Sequence, residues 1–310
     1  MISKHKIEPE AIPSHQSVCG IIVTYNPDVD ALERLITAIL PQLTNLVIVD
    51  NGSVGNLREW LSAKYQDVKF ISLGENLGIA KAQNVGIESS KEFNIRYVLL
   101  LDQDSIPAPD MVQVLMSAIE KKENSGTRVA CAGPRYSDPR QENALPFIRT
   151  IGLRLHRHRQ SKPYEIVDVD YLIASGCLIP QKTLDAVGVM QEELFIDYVD
   201  IEWGLRAQKK GYQSLGVCAA YMEHQLGDEP VFFGGRRVPV HSPLRHYYHF
   251  RNAIWLYRQT WLCTNWKVVD ALRLIRKFVF YSLMTPPRLH HFGMMSLGIW
   301  HGFIGRMGRK

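Results

Sequence analysis

The stretch "YVLLLDQDSIP", residues 97–107, decides how this chain is read. Apolar residues run unbroken from Tyr97 to Leu101. Asp102, Gln103 and Asp104 then come together, and Ser-Ile-Pro closes the segment. An unbroken apolar run of this length reads as a strand buried on both faces. Side chains alternate along a strand, so the spacing puts Asp102 and Asp104 on one side. Two carboxylates that close repel unless a cation lies between them. Hard cations such as Mg2+ are often held by one or two carboxylates plus substrate phosphates. The same spacing also fits a polar strand terminus whose acids cap the next helix.

The pattern repeats on the N-terminal side. "VCGIIVTY" (18–25), "NLVIVDNGS" (45–53) and "VKFISL" (68–73) are apolar runs rich in β-branched residues, each followed by turn signals. Between them, Leu32, Leu35, Ile36 and Ile39 recur at helical spacing, and 54–65 reads as a second helix. "GENLGIAKAQNVGIESS" (74–90) begins as a glycine-punctuated loop and continues as a helix. This alternation predicts an α/β fold, a mainly parallel sheet with helices on both faces. Ligands of such sheets gather beyond the carboxyl ends of the strands. Three ends are polar there: Thr24-Tyr25-Asn26, Asp50-Asn51 and Asp102-Gln103-Asp104.

Further along, "VACAGP" (129–134) reads as a strand, 135–165 as a loop or hairpin, and "EIVDVDYLIASGCLIP" (165–180) as renewed strand. "DIEWGLRAQKKG" (200–211) is a helix with a glycine stop, and "YQSLGVCAAYMEH" (212–224) a strand. From about residue 244 the pattern is helical and aromatic.

Five scattered cysteines without a C-x-x-C pair argue against a disulfide framework or structural zinc, and for small buried thiols in a reduced, cytosolic chain. Residues 1–16 lack an apolar h-region and read as a flexible leader. No uninterrupted apolar run reaches the ~18 residues of a membrane span. Charge is uneven. Residues 231–310 hold 13 Lys plus Arg and one acid, Asp270, or +12, so the remainder carries −7. That region also holds Trp255, Trp261, Trp266 and Trp300, four of the six tryptophans. Tryptophan mixed with basic residues favours lying on a membrane interface without crossing it. A solvated basic face is the plainer alternative. No nucleic-acid module is present, and oligomeric state is not legible.

"IIVTYNPD", "VIVDNGS", "NLGIAKAQNVGI" and "LLLDQDS", in that order, resemble the signatures of the family 2 inverting glycosyltransferases, which have the GT-A fold. The resemblance covers roughly residues 18–260. With "FIDYVDIEWGLRA", "HSPLRHYYHFRN" and "GIWHGFIGRMGRK", the chain is similar in detail to the bacterial dTDP-rhamnosyltransferases of surface polysaccharide synthesis.

The resemblance implies a GT-A domain over 17–243, with a nucleotide-binding half to about 133 and an acceptor half beyond it. A helical, basic, membrane-associating region follows over 244–310. It implies that Thr24, Tyr25, Asn26 and Gln103 line the nucleotide pocket and that Asp50 accepts from a pyrimidine imide. Asp50 also fits a turn residue bonding its own backbone. Asn76, Gly78 and Lys81 would shape the donor loop. Asp102 would face the donor's ribose or a divalent cation, Mg2+ or Mn2+, which Asp104 and His224 would hold. The base would be Asp200, with Asp197 and Glu202 as alternatives; Val199 stands where many members carry an acid. Asp200 also fits a helix N-cap. Glu202, Trp203, Arg245, Tyr248 and Arg251 would face acceptor or phosphate, or Arg251 would sit on an amphipathic helix packed on the core. The implied reaction moves L-rhamnose from dTDP-L-rhamnose to a lipid-linked glycan, from a peripheral position on the inner face of the cell membrane. A UDP-sugar donor, a sugar-1-phosphate nucleotidyltransferase and a non-catalytic scaffold are the alternatives. The nucleotidyltransferase needs a glycine- and arginine-rich loop where this chain has "TYNPDVD".

Overall fold

The computed structural model describes residues 17–137, 146–158, 164–224, 231–233, 236–238 and 241–310, with backbone alone for His224, 231–233 and 236–238. The leader expected over 1–16 lies outside the described residues. The first half follows the expected alternation: β1 (Val18–Thr24), α1 (Val29–Ile39), β2 (Asn45–Asp50), α2 (Leu57–Lys64), β3 (Lys69–Ser72), α3 (Ile79–Ser90) and β4 (Tyr97–Asp102). These four strands pair in parallel in the order β3-β2-β1-β4. Every residue of β1 is buried, because both sheet faces are covered. Alternation divides its side chains between two cores. Val18 and Ile22 pack with Leu32, Leu35 and Ile36 of α1. Cys19, Ile21 and Val23 pack with Ala80, Ala82 and Ile87 of α3.

The second half continues through β5 (Ser105–Pro107), α4 (Met111–Asn124), β6 (Val129–Ser137), β7 (Phe147–Ile151), β8 (Arg154–His158), β9 (Ile166–Val169), β10 (Cys177–Pro180), α5 (Gln181–Val187), α6 (Val199–Lys209), β11 (Gln213–His224), β12 (Val231–Phe233) and β13 (Arg236–Val238). Here the sheet turns mixed. β10 lies antiparallel between β4 and β6, β11 runs parallel to β6, and β5 and β9 pair antiparallel with β11. The hairpin expected within 135–165 is β7–β8. The strand expected over 165–180 is two, parted by residues 170–176. The register Cys177↔Leu100 therefore sets residues 174–176 beside the end of β4.

Helices α7 (Pro243–Tyr257), α8 (Thr264–Met284) and α9 (Arg288–Ile304) complete the chain, as the helical pattern predicts. They share a third cluster with α6, in which Tyr198 and Leu205 meet Phe250, Trp266 and Met295. No helix among the described residues is long and apolar enough to cross a membrane. All five cysteines are free. Four are buried as expected, but Cys263 is exposed because it precedes α8 at its solvent end.

Gly298 and Gly302, four apart on α9, let that helix approach the α7 backbone. A Cβ on Gly302 would lie 2.6 Å from the Arg251 carbonyl oxygen, and one on Gly298 would collide with that of Tyr247. Gly302→Val should therefore cost about 1–3 kcal/mol of stability through overpacking, read as a lower urea midpoint at unchanged slope. An unchanged midpoint would mean that α9 does not press on α7 in solution.

Candidate active site

Parallel pairing brings three strand ends together, with Thr24 opposite Asp50 and Val23 opposite Asp102. Thr24 donates its hydroxyl to Asp50 Oδ1 at 3.0 Å. Ser53 donates its backbone N–H to Asp50 Oδ2 at 3.1 Å and its hydroxyl to Oδ1. A carboxylate offers about four lone-pair sites, so three are filled and Oδ2 keeps one direction open. Asp50 thus does what the turn reading predicted, with room for one further donor. Gln103 stitches β4 to β1: its Oε1 accepts from Tyr25 N–H at 2.8 Å, and its Nε2 donates to the Tyr25 carbonyl at 3.3 Å. Asn26, at φ 45°, accepts from Val54 N–H through its side chain.

Asn51 and Asn76 fix the loop before α3. Asn76 Oδ1 accepts from Asn51 Nδ2 at 3.1 Å and from Gly78 N–H at 3.0 Å, while Asn51 Oδ1 accepts from Leu77 N–H. Gly78 has φ +91°, and a Cβ there would lie 2.7 Å from the Phe195 carbonyl oxygen. Lys81 is half-exposed and paired with Glu192 at 3.1 Å, so it ties α3 to the segment before α6.

The two acids of the opening stretch stand differently from the expectation. β4 ends at Asp102, and Gln103 and Asp104 form a turn. Strand alternation therefore does not govern the pair: Asp102 is half-buried and Asp104 exposed. Asp102 N–H donates to Ser175 Oγ at 3.0 Å, and Ser175 in turn bonds Ser105 at 2.7 Å. β11 pairs with β5 so that the backbone of His224 lies opposite Ser105, next to Asp104. Among the described residues, no three of His, Cys, Asp and Glu converge as a metal cage; the His224 side chain lies outside them. Two hard carboxylates at one strand end fit a cation that completes its shell with phosphate and water.

Asp200 lies at the second position of α6, whose N-cap is Tyr198, so the N-cap reading does not hold. Its Oδ1 accepts from Ile201 N–H at 2.8 Å. It borders a cavity of about 20 Å3 lined by Leu100, Cys131, Cys177, Trp203 and Gln83 among others. Burial pushes its carboxyl up to about 7; the Ile201 N–H opposes the rise, and the charges of Asp197 and Asp102 add to it. The rival acids are engaged elsewhere. Glu202 is buried and bidentate on Arg206, at 2.7 and 3.0 Å. Asp197 faces Arg245 at 3.4 Å. Among the described residues, Asp200 is the one of the three without an arginine partner. Trp203 is fixed by its Nε1–H on the Gly188 carbonyl at 2.8 Å. Sequence reasoning did not single out Gln83, whose buried Oε1 has no hydrogen-bond partner among the described residues, or Ser175. Gln83 stands in the quoted "NLGIAKAQNVGI", but nothing in its spacing separates it from a solvent-facing helix residue.

The segment entering α6 is held by α7. Phe195, Asp197 and Tyr198 all have φ near +64° without being glycine. Arg251 Nη2 donates to the carbonyls of Glu193 and Leu194, at 3.3 and 3.0 Å. Asn252 Nδ2 donates to those of Leu194, Ile196 and Asp197, each at 2.8 Å. Tyr248 stacks on Phe195 at 5.0 Å and accepts from Lys310 N–H. Arg251 is fully buried, so the expectation of a phosphate-facing arginine is corrected: its guanidinium serves backbone carbonyls. Tyr248 and Glu202 are likewise enclosed, the first by Phe195 and Lys310, the second by Arg206. Arg245 remains partly exposed beside Asp197.

Arg251→Lys keeps the charge but loses the fork. It should lower stability by about 2–4 kcal/mol, since buried carbonyls lose their donors, and reduce turnover without a selective rise in donor KM. A selective rise in KM with normal stability would restore the phosphate-binding reading.

The family model described as "Glycosyl transferase family 2" matches residues 19–177, just over half of the chain. The dTDP-rhamnosyl transferase RfbF of Shigella flexneri is 35% identical over 275 residues, covering 87% of this chain and 88% of its own. An N-acetylglucosaminyl-diphospho-decaprenol L-rhamnosyltransferase of Mycobacterium tuberculosis is 24% identical over 68% of this chain and 78% of its own. Among solved structures, residues 1–349 of S. aureus TarS superpose with a TM-score of 0.59 at 14% identity, covering 94% of this chain and 82% of that one. GalNAc-T7, solved with UDP, GalNAc and Mn2+, superposes with a TM-score of 0.59 at 12% identity, covering 97% of this chain and 59% of that one. On the match of the family model and the identity to RfbF, this chain belongs to glycosyl transferase family 2 and is a glycosyltransferase of the GT-A fold.

Proposed function

We propose that this glycosyltransferase moves L-rhamnose from dTDP-L-rhamnose to a lipid-linked glycan precursor, of the O-antigen or capsule kind, and works as a peripheral protein on the inner face of the cell membrane. The observation that carries the donor is the 35% identity to RfbF, spread over 87% of this chain. The mycobacterial relative, named for a decaprenol diphosphate, supports a lipid-linked acceptor.

In this reading Thr24, Tyr25 and Asn26 frame the nucleotide, and the open direction on Asp50 Oδ2 accepts the thymine imide N–H. Asn76 and Gly78 shape the loop under the donor. Asp102, Asp104 and His224 hold a divalent cation, Mg2+ or Mn2+, which when bound offsets the charge growing on the departing dTDP. Asp200, ionised, takes the proton of the acceptor hydroxyl as its oxygen attacks C1 from the face opposite the leaving group. The configuration at C1 inverts. A carboxyl raised to about 7 is a stronger base than an ordinary one, and about half of it is ionised at neutral pH. Below its pKa the ionised fraction falls tenfold per pH unit, so activity is lost on acidification.

Accordingly kcat/KM should show an acid limb of unit slope with an apparent pKa near 7. Asp200→Asn should lose about 10²–10⁴-fold in turnover while still binding dTDP with unchanged affinity. A flat profile from pH 5 to 8 would remove Asp200 from the role.

Release of nucleoside diphosphate from a panel of dTDP- and UDP-sugars, in Mn2+, Mg2+ or EDTA, tests the donor. Turnover of dTDP-L-rhamnose with either ion, abolished by EDTA and reduced at least a hundredfold in Asp104→Ala, is expected. Turnover of a UDP-sugar alone would sink the rhamnose assignment and keep the enzyme class.

A further inference from the structure

Helices α8 and α9 present a face that no described residue covers. Of the twenty large apolar side chains exposed among the described residues, eleven lie on these two helices. Leu272, Ile275, Val279 and Leu283 recur on α8 at three- and four-residue steps, each at least half exposed. Phe292 and Trp300 extend the surface along α9. An open groove of about 420 Å3 joins the helices where Val279 and Leu283 meet Leu289 and Phe292. Soluble monomers rarely expose a contiguous apolar surface of this extent without a partner for it.

We propose that this face docks on anionic phospholipid, with α8 and α9 lying along the bilayer interface. Charge identifies the occupant. Residues 264–310 carry eight Lys or Arg and one acid, Asp270, which is buried. Arg276 stands exposed beside the α8 stripe, Arg288 at the turn between the helices, and Arg306 beyond the end of α9, where Arg309 is instead paired with Glu75 at 3.0 Å. Apolar side chains enter the acyl boundary while the arginines meet lipid phosphates. A second copy is a poorer occupant. A two-fold dimer sets a patch against itself, and here that brings arginines toward arginines with no exposed carboxylate in the segment to meet them.

The inner side of α8 ties this face to the site. Asp270 Oδ2 accepts from the hydroxyls of Tyr198 and Tyr257, each at 2.7 Å, and Tyr198 precedes Asp200 by two residues. The docked face therefore sets the height of Asp200 above the lipid. This deepens the lipid-linked acceptor reading above and rests on it for its purpose.

The test is co-sedimentation of the full chain with vesicles of phosphatidylcholine alone or mixed with phosphatidylglycerol. The comparison is the double variant Ile275→Glu/Val279→Glu, both sites being exposed. Wild type should bind the anionic vesicles, more weakly as NaCl rises, and the variant should bind at least tenfold more weakly. Both should release dTDP equally fast with a water-soluble acceptor, which shows that the variant is folded. Wild type that ignores anionic vesicles, or a variant that binds them as tightly, overturns the proposal. So does a wild-type dimer in sedimentation velocity that the variant splits, which assigns the face to a second copy. Variant-sensitive vesicle binding without any turnover of dTDP-L-rhamnose supports the docking face and sinks only the donor reading.

Discussion

The grip of Arg251 and Asn252 on the segment from Glu193 to Asp197 is the constraint on which the rest of the site depends. Phe195 and Asp197 within it, and Tyr198 just after it, have positive φ without being glycine, each at a cost of order 1–3 kcal/mol. Five hydrogen bonds from two neighbouring side chains meet that cost. The two from the guanidinium are charge-assisted and contribute about 1.5–3 kcal/mol each, and the neutral ones about 0.5–1.5. Cost and gain are comparable, so no single bond suffices and the segment holds its shape through the set. Phe195, inside it, accepts from Ile79 N–H at 2.8 Å. One strained segment thereby joins the donor loop, the start of α6 and the C-terminal helices.

This arrangement explains how a carboxyl near neutrality is kept beside a polar strand end. Asp200 is set at the start of α6 by the clamped segment, above a small cavity walled by Leu100, Cys131, Cys177 and Trp203. Its neighbours Asp197 and Glu202 are paired with arginines, while Asp200 has none among the described residues. Burial then dominates its ionisation, and the nearby charge of Asp102 acts in the same direction. The acidity of the candidate base and the charge of the candidate cation site are thus coupled across the sheet.

Particular residues mark how far the sequence could be read. The four parallel strands and their helices were legible because an unbroken apolar run ending in turn residues has few other folds. Thr24, Asp50 and Asp102 were legible as a group because parallel strands put their carboxyl ends on one edge. Arg251 was not. An arginine beside two tyrosines reads alike whether it faces phosphate or carbonyls, and only the path of residues 193–198 decides between them. Asp102 and Asp104 misled in a smaller way, since the strand ends at Asp102, two residues short of where alternation would align Asp104 with it.

Local pattern by itself determined which segments are strands and helices, where polar groups cluster, and that the end of the chain is basic and aromatic. Those properties follow from neighbours within a few residues, where period and propensity act. Tertiary structure alone decided the antiparallel insertion of β10 that sets Ser175 against Asp102, the grip of α7 on the strained segment, and the pairing of Asp197, just before α6, with Arg245. Each of these joins residues far apart in sequence. They depend on which buried donor finds which buried acceptor, and a linear pattern carries no record of that pairing.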